Sequence, residues 1–170
     1  DVLRRAALAA GAATLPGPLL AQAPAADWRL GLADISGDIV QQPLARLHGR
    51  APDLAGTLYR NGPARFRRGQ TSVSHWFDGD GLVRAWRIRG EAATLAARFV
   101  DTPKRRIEEQ LGRIVQAGFG TPPRPGSELS GPDDVNAANT HIIPAGNRLL
   151  ALWEAGSAFA LDPETLDTRG

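Results

Sequence analysis

The sequence has no cysteine and no methionine, and only three of its residues are histidine. The lack of cysteine excludes disulfides, thiolate-held zinc and thiol catalysis together. No His-x-His or His-x-x-x-His pair occurs, so the chain holds no self-contained histidine metal centre. Lysine occurs once, at Lys104; every other base is an arginine. Twenty bases against eighteen acids leave a net charge of +2. No aromatic residues interleave with the dense spots Arg67-Arg68 and Lys104-Arg105-Arg106, so no nucleic-acid partner is expected. A Walker loop, a dinucleotide fingerprint and a Gly-x-Ser-x-Gly elbow are missing as well.

What is present describes a turn-rich chain. Its 170 residues suffice for a sizeable core, and 42% apolar with 22% charged residues excludes a disordered chain. Nineteen glycines and thirteen prolines favour short strands over a helical bundle. The chain starts at Asp1 and stops at Gly170 in what reads as mid-element, so a piece of a longer protein is expected.

Residues 1–25 read as a twin-arginine-type signal peptide. Arg4-Arg5 precedes a weakly apolar, alanine-rich stretch with no further charge until Asp27. Small-x-small sites close it, and cleavage after Ala25 avoids cutting before Pro24. Pro16, Gly17 and Pro18 interrupt the stretch and disfavour an uncleaved anchor; a plain tail is the remaining reading. The expected location is periplasmic or exported, and twin-arginine export hints at a cofactor bound before export.

Residues 26–55 read as an irregular lead-in. Gly56–Pro63 reads as a short strand entering a turn, with Asn61-Gly62 supplying the turn and Pro63 ending the pairing. Thr71–Arg89 alternates on both sides of Asp78-Gly79-Asp80-Gly81, which predicts a hairpin; Thr94–Val100 adds a third strand. Thr102 and Pro103 then open a helix. Ile107, Leu111, Ile114 and Val115 form its apolar face, and Gly118 is its expected end. The opposite face, Lys104, Arg105, Glu108 and Glu109, reads as solvated. Gly118–Asp134 is a long loop with four prolines, a length that is often functional. Strands resume over Val135–Ile143, Arg148–Glu154 and Ala158–Leu161. Turns follow at Pro144–Asn147 and Asp162–Thr165. The fold class is therefore all-β, with one short helix between strands: a sandwich, barrel or propeller.

Few residues carry chemistry by themselves. Asp78 to Gly81 has too few oxygens for a calcium loop and reads as a turn. His75 reads as a hydrogen-bonded core residue on a strand; His48 and His141 stand alone. Glu154 ends an apolar run, Leu149 to Trp153, and is expected to be at least half buried. Such a carboxylate either pairs with an arginine or orients a metal-bound histidine through its N–H.

The motifs then converge. Gly56-Thr-Leu-Tyr-Arg-Asn-Gly-Pro-Ala64 and His75-Trp-Phe-Asp-Gly-Asp-Gly81 resemble the first hallmarks of the carotenoid cleavage oxygenases. Asn139-Thr140, Leu149–Glu154 and Leu161–Thr168 continue the series in family order. The resemblance implies about two blades of a seven-bladed β-propeller over residues 56–170. It implies a non-haem Fe(II) held by four histidines beyond residue 170, so no catalytic or metal-ligating residue lies in this chain. Glu154 matches a second-sphere glutamate that holds a ligand histidine. The implied reaction cleaves a C=C bond of a carotenoid, apocarotenoid or stilbene-type substrate with O2, giving two carbonyl products. Alternatives are a family isomerase and a non-catalytic propeller binding an apolar ligand or protein; a sugar-dehydrogenase-type propeller would share only the architecture. The implied partners are an apolar polyene or stilbene, O2 and a peripheral membrane contact. The helix at Pro103–Gln116 and the loop after it are candidates for that contact, although packing against the propeller is the simpler reading of its apolar face.

Overall fold

The computed structural model describes residues 27–45, 49 and 53–170. The signal-peptide stretch 1–25 and His48 fall outside the described residues.

The first sheet is built from β1 (Ile39–Pro43), β2 (Ala55–Arg60), β3 (Pro63–Arg65), β6 (Asp80–Arg89) and β7 (Ala92–Phe99). The two-residue strands β4 (Arg67–Arg68) and β5 (Thr71–Ser72) form a small ladder of their own. One helix, α1 (Pro103–Leu111), follows. The second sheet is β8 (His141–Ala145), β9 (Arg148–Leu152) and β10 (Phe159–Leu161), in the order β10-β9-β8. All these pairings are antiparallel. β6 is the spine, paired with β7 from Leu82↔Phe99 to Arg89↔Ala92 and with β2 on its other edge. Gly90, at φ 58°, makes the tight turn between β6 and β7.

Strand alternation explains where the core sits. Val83 and Ala85 of β6, with Ala96 of β7, pack with Ile142, Leu149, Ala151 and Leu161 of the second sheet and with Leu166 just beyond it. Alanines on both sides let the two sheets approach, and the branched residues fill the gap. Each fully buried leucine or valine contributes about 1.5–3 kcal/mol, so this stack fixes how the sheets face each other. The opposite face of the first sheet buries Leu82, Ala97 and Phe99 with Ala64. The turn after β10 is closed by Asp162, which accepts from the N–H groups of Glu164 and Thr165. The Thr165 N–H, the Arg169 side chain and the Glu164 N–H together hold the Asp162 carboxyl down to about 2.

Six sequence expectations are corrected. The lead-in is not irregular: Trp28–Leu32 is a 3-10 turn, and β1 pairs with the edge of β7. β1 is mostly exposed, so backbone pairing forms it and no apolar period announces it. The first half of the Thr71–Arg89 hairpin does not form. His75 Nδ1 accepts from Phe77 N–H at 3.2 Å and caps a 3-10 turn, Trp76–Asp78, so His75 lies on no strand. Pro63 does not end pairing, because β3 continues against the start of β6. The helix stops at Leu111, where Gly112 takes the left-handed conformation at φ 62°; its Thr102 cap and Pro103 start are as expected. Its inner side is the charged one: Lys104 and Glu108 are buried, while Leu111 is 42% exposed. Finally, β8 begins only at His141, because Asn136 and Asn139 hold the preceding segment in buried, irregular backbone.

Candidate active site at the sheet edge

The Asn61 and Asn139 side chains bind the two sheets into one wall. Asn61 Nδ2 donates to the carbonyls of Ala138 (2.7 Å) and His141 (3.1 Å). Asn139 Nδ2 donates to the carbonyls of Phe77 and Gly79, both at 2.6 Å. Each is a side-chain amide satisfying backbone carbonyls that have left the strand ladder. Gly81 lies against the backbone oxygens of Ala137 and Ala138, where a Cβ would overlap them.

Asp78 is buried and holds a second segment in place. Its Oδ1 accepts from Phe119 N–H at 2.5 Å; its Oδ2 accepts from Gly120 N–H at 3.1 Å and Thr121 Oγ1 at 2.7 Å. Gly118 packs on the Asp78 carboxyl and Gly120 on His75, with no room for a Cβ at either. The result presents Phe119 to the outside, 78% exposed, with its ring 5.7 Å from Phe77 and 5.0 Å from His75.

Two clefts meet at Phe77 and Glu154. One, of about 440 Å³, is lined by Phe77, Ala117, Phe119, Val135, Trp153 and Glu154 and is apolar apart from the carboxylate. The other, of about 600 Å³, carries Arg60, Arg84, Trp76, Trp86, Thr140 and Glu154. Glu154 lies just past β9 and is exposed, not half buried as its apolar run suggests, because the strand ends at Leu152 and the chain turns outward. Its Oε2 accepts from Thr140 Oγ1 at 2.9 Å. Among the described residues no arginine pairs with it, and its Oε1 has no hydrogen-bond partner.

The charged motif residues go elsewhere. Asp80 accepts from Arg68 and, at 2.9 Å, from Lys104; Lys104 also donates to Glu108 at 3.0 Å. All four are buried. Asp78 and Asp80 thus serve neither a hairpin turn nor a calcium loop. The sequence signal for the cluster was the single lysine placed four residues before a glutamate; for Phe119 it was a phenylalanine between two glycines. Among the described residues, no group of three or more histidines or carboxylates is arranged to hold a metal. His141 is exposed on β8, opposite Leu152. No helix of the described residues is long and apolar enough to cross a membrane.

The model of the retinal pigment epithelial membrane protein family matches residues 37–170. The chain is 38% identical over 149 residues to an apocarotenoid-15,15'-oxygenase of Synechocystis, which is 85% of this chain and 28% of that protein. It is 39% identical over 132 residues to the chloroplastic carotenoid cleavage dioxygenase 7 of Oryza sativa subsp. japonica, covering 70% and 21%. A solved structure of the Synechocystis enzyme, in a variant with one tryptophan replaced by alanine, superposes with a TM-score of 0.73 at 35% identity, covering 84% of this chain and 31% of that one. Other structures of that enzyme replace the glutamate directly after this tryptophan, or a threonine 14 residues before the glutamate, and one is cobalt-substituted.

The chain belongs to this family, the carotenoid cleavage oxygenases, and its two sheets are part of the family's β-propeller. It spans less than a third of the length of the relatives it matches.

Proposed function

We propose that this chain is the N-terminal part of a non-haem Fe(II) dioxygenase that cleaves a C=C bond of a carotenoid, apocarotenoid or stilbene-type substrate with O2. The observation that carries the reading is the corner made by Thr140, Trp153 and Glu154. The same three residue types, at the same spacing of 14 between threonine and glutamate, are the ones replaced in the Synechocystis structures.

The residues present fit the outer part of an iron site and not its inner part. They offer no ligand set, and four histidines would come from beyond residue 170. Glu154 fits a supporting role: Thr140 holds one carboxylate oxygen, and the other is unengaged and exposed. That oxygen would accept the N–H of a ligand histidine, fixing its ring and raising its basicity. Iron held by the downstream histidines would supply the activation of O2 for splitting an electron-rich alkene into two carbonyl compounds. Phe77, Phe119 and Trp153 would hold the alkene by apolar contact and keep water from it. Fixing one double bond at one distance is the larger part of what such a wall contributes. A membrane or micelle as the source of the apolar substrate belongs to the same reading.

Two further proposals follow the sequence. Residues 1–25 direct export and are removed, which N-terminal sequencing of the exported protein checks; retention of residues 1–20 would contradict it. The chain expressed alone is inactive and aggregates or stays partly unfolded, since Leu58 and Val40 on the first sheet stay exposed. A cooperative, monomeric melt of this chain would contradict that.

The central test uses the whole protein. It should contain stoichiometric iron and convert an apocarotenoid or a stilbene into two carbonyl products. Absence of any one of the four downstream histidines would sink the reading, as would double-bond isomers as the only products.

A further inference from the structure

Apart from Arg84, every arginine of the described chain that is not exposed meets a carboxylate or two backbone carbonyls. Arg68 and Arg98 meet carboxylates, and Arg105 pairs with Glu109. Arg65, Arg87 and Arg124 each donate to two backbone carbonyls. Arg84 is half-buried in the larger cleft and makes only a long 3.4 Å bond to Leu82 O on its own strand. Directly across the β2–β6 ladder from it stands a second cation, Arg60. Like charges directly opposite in a sheet destabilise it. Among the described residues neither arginine meets an acid. Glu154 lines the same cleft but is bonded to Thr140. Burial, and then the charge of Arg60, draw the Arg84 pKa below its usual value. A guanidinium remains cationic at neutral pH even so.

Two adjacent forks of N–H donors, on one face of a sheet and flanked by Trp76 and Trp86, suit a planar anion. We propose that Arg60 and Arg84 form a carboxylate-binding pair at the polar end of the cleft beside Glu154. The carboxylate is either the acidic end of an unsaturated substrate, whose apolar body lies toward Phe77, or an Asp or Glu side chain from the rest of the whole protein. This deepens the reading of the cleft as a substrate site, but its test needs neither iron nor turnover.

Trp76 and Trp86 make tryptophan fluorescence a reporter of this cleft. The whole protein, with its Arg84→Gln and Arg84→Lys variants, is titrated with cinnamate and with methyl cinnamate, and the thermal midpoint of each variant is recorded. A substrate carboxylate is assigned if the wild type binds the acid about tenfold or more tighter than the ester, Arg84→Gln abolishes the preference and Arg84→Lys keeps most of it. A carboxylate of the protein itself is assigned if there is no preference, and Arg84→Gln lowers the midpoint while Arg84→Lys restores it. Arg60→Gln, at an exposed position, should repeat the Arg84→Gln pattern with the fold intact. A preference that survives Arg84→Gln overturns the proposal. So does the absence of any preference with an unchanged midpoint, or with a lowered midpoint that lysine does not restore.

Discussion

The ionic cluster beneath α1 and the cleft edge beside Glu154 draw on the same short motifs and end in opposite states. Asp80 goes into the cluster; Phe77, three residues earlier, goes into the cleft. In the cluster two cations and two anions are buried together. Burial pushes the Asp80 carboxyl up, and the charges of Lys104 and Arg68 more than reverse this. Burial pushes Lys104 down, and Asp80 and Glu108 more than reverse that. Glu108 Oε1 also accepts from the N–H groups of Val115 and Gln116. Only Arg68 Nε lacks a hydrogen bond there, 3.8 Å from Glu108 Oε2. At the cleft, Glu154 has one engaged oxygen and Arg84 has none of the partners its neighbours have. Charge that is closed on itself holds a fold together. Charge left open at the edge of a cleft marks where something from outside this chain binds.

Breaking the closed side has the largest expected effect. Asp80→Ala in the whole protein leaves Arg68 and Lys104 buried with one carboxylate between them. Removing one partner of a buried ionic group costs about 3–5 kcal/mol, so the urea midpoint should fall steeply or soluble protein should be lost. A midpoint near that of the wild type would show that the cluster is not closed in the way described. Acid should act on the same group. Asp80 has a folded pKa below the ordinary carboxyl value of 3.8, so its contribution is complete above that value and disappears as pH falls through the folded one. Lys104 has a folded pKa above 10.5, so its contribution is complete below that value and disappears as pH rises through the folded one. Between the two limits the difference between wild type and Asp80→Ala should be flat, and it should narrow in acid. A constant difference down to the most acid conditions would refute the assignment.

Much of the fold was legible in the sequence, and the reason lies in which elements bury one face against water. β6, β7, β9 and β10 alternate or run apolar because each packs on the core, and the glycine turns between them are explicit. The Thr102-Pro103 helix start was equally plain. β1 was invisible because an edge strand can form from backbone pairing alone. The missing first half of the hairpin was invisible because alternation over Val73 to Phe77 has another cause: His75, Asp78 and Phe77 each turn toward a different neighbour. The helix was misread by its charge. A lysine and a glutamate four residues apart ordinarily face water, and only the distant residues Arg68 and Asp80 make their burial affordable. At the site, the apolar run was expected to carry a strand through Glu154, but β9 stops at Leu152 and Glu154 lies in the turn beyond it; where a strand ends and how deep its end sits are tertiary properties, and the exposure went the other way.

Between the two regions lies the Asp78 clamp, which belongs to the closed side and shapes the open one. Gly118→Ala would put a Cβ onto the Asp78 carboxyl. The neighbour is a buried side chain making three hydrogen bonds and cannot move freely. Overpacking of this kind costs about 1–3 kcal/mol. The thermal midpoint should fall by a few degrees, and substrate affinity should fall with it as Phe119 shifts. A variant with unchanged midpoint and affinity would separate the clamp from the cleft.

The smallest effect on stability, and the sharpest on the comparison, is expected for Glu154→Gln. The side chain is exposed and makes one hydrogen bond, which the amide oxygen of glutamine can still accept from Thr140 Oγ1. Stability should stay within about 0.5 kcal/mol of wild type, as for most surface substitutions. What changes is the charge and basicity of the free oxygen. Outer carboxylates of metal-bound histidines typically account for about 10–100-fold in metal affinity or activity, so iron retention or turnover should fall by that order in the whole protein. Unchanged iron and unchanged activity would remove Glu154 from the site. A loss of stability comparable to that of Asp80→Ala would be worse for the comparison itself, because it would mean that the cleft edge, like the cluster, is held by its own charges.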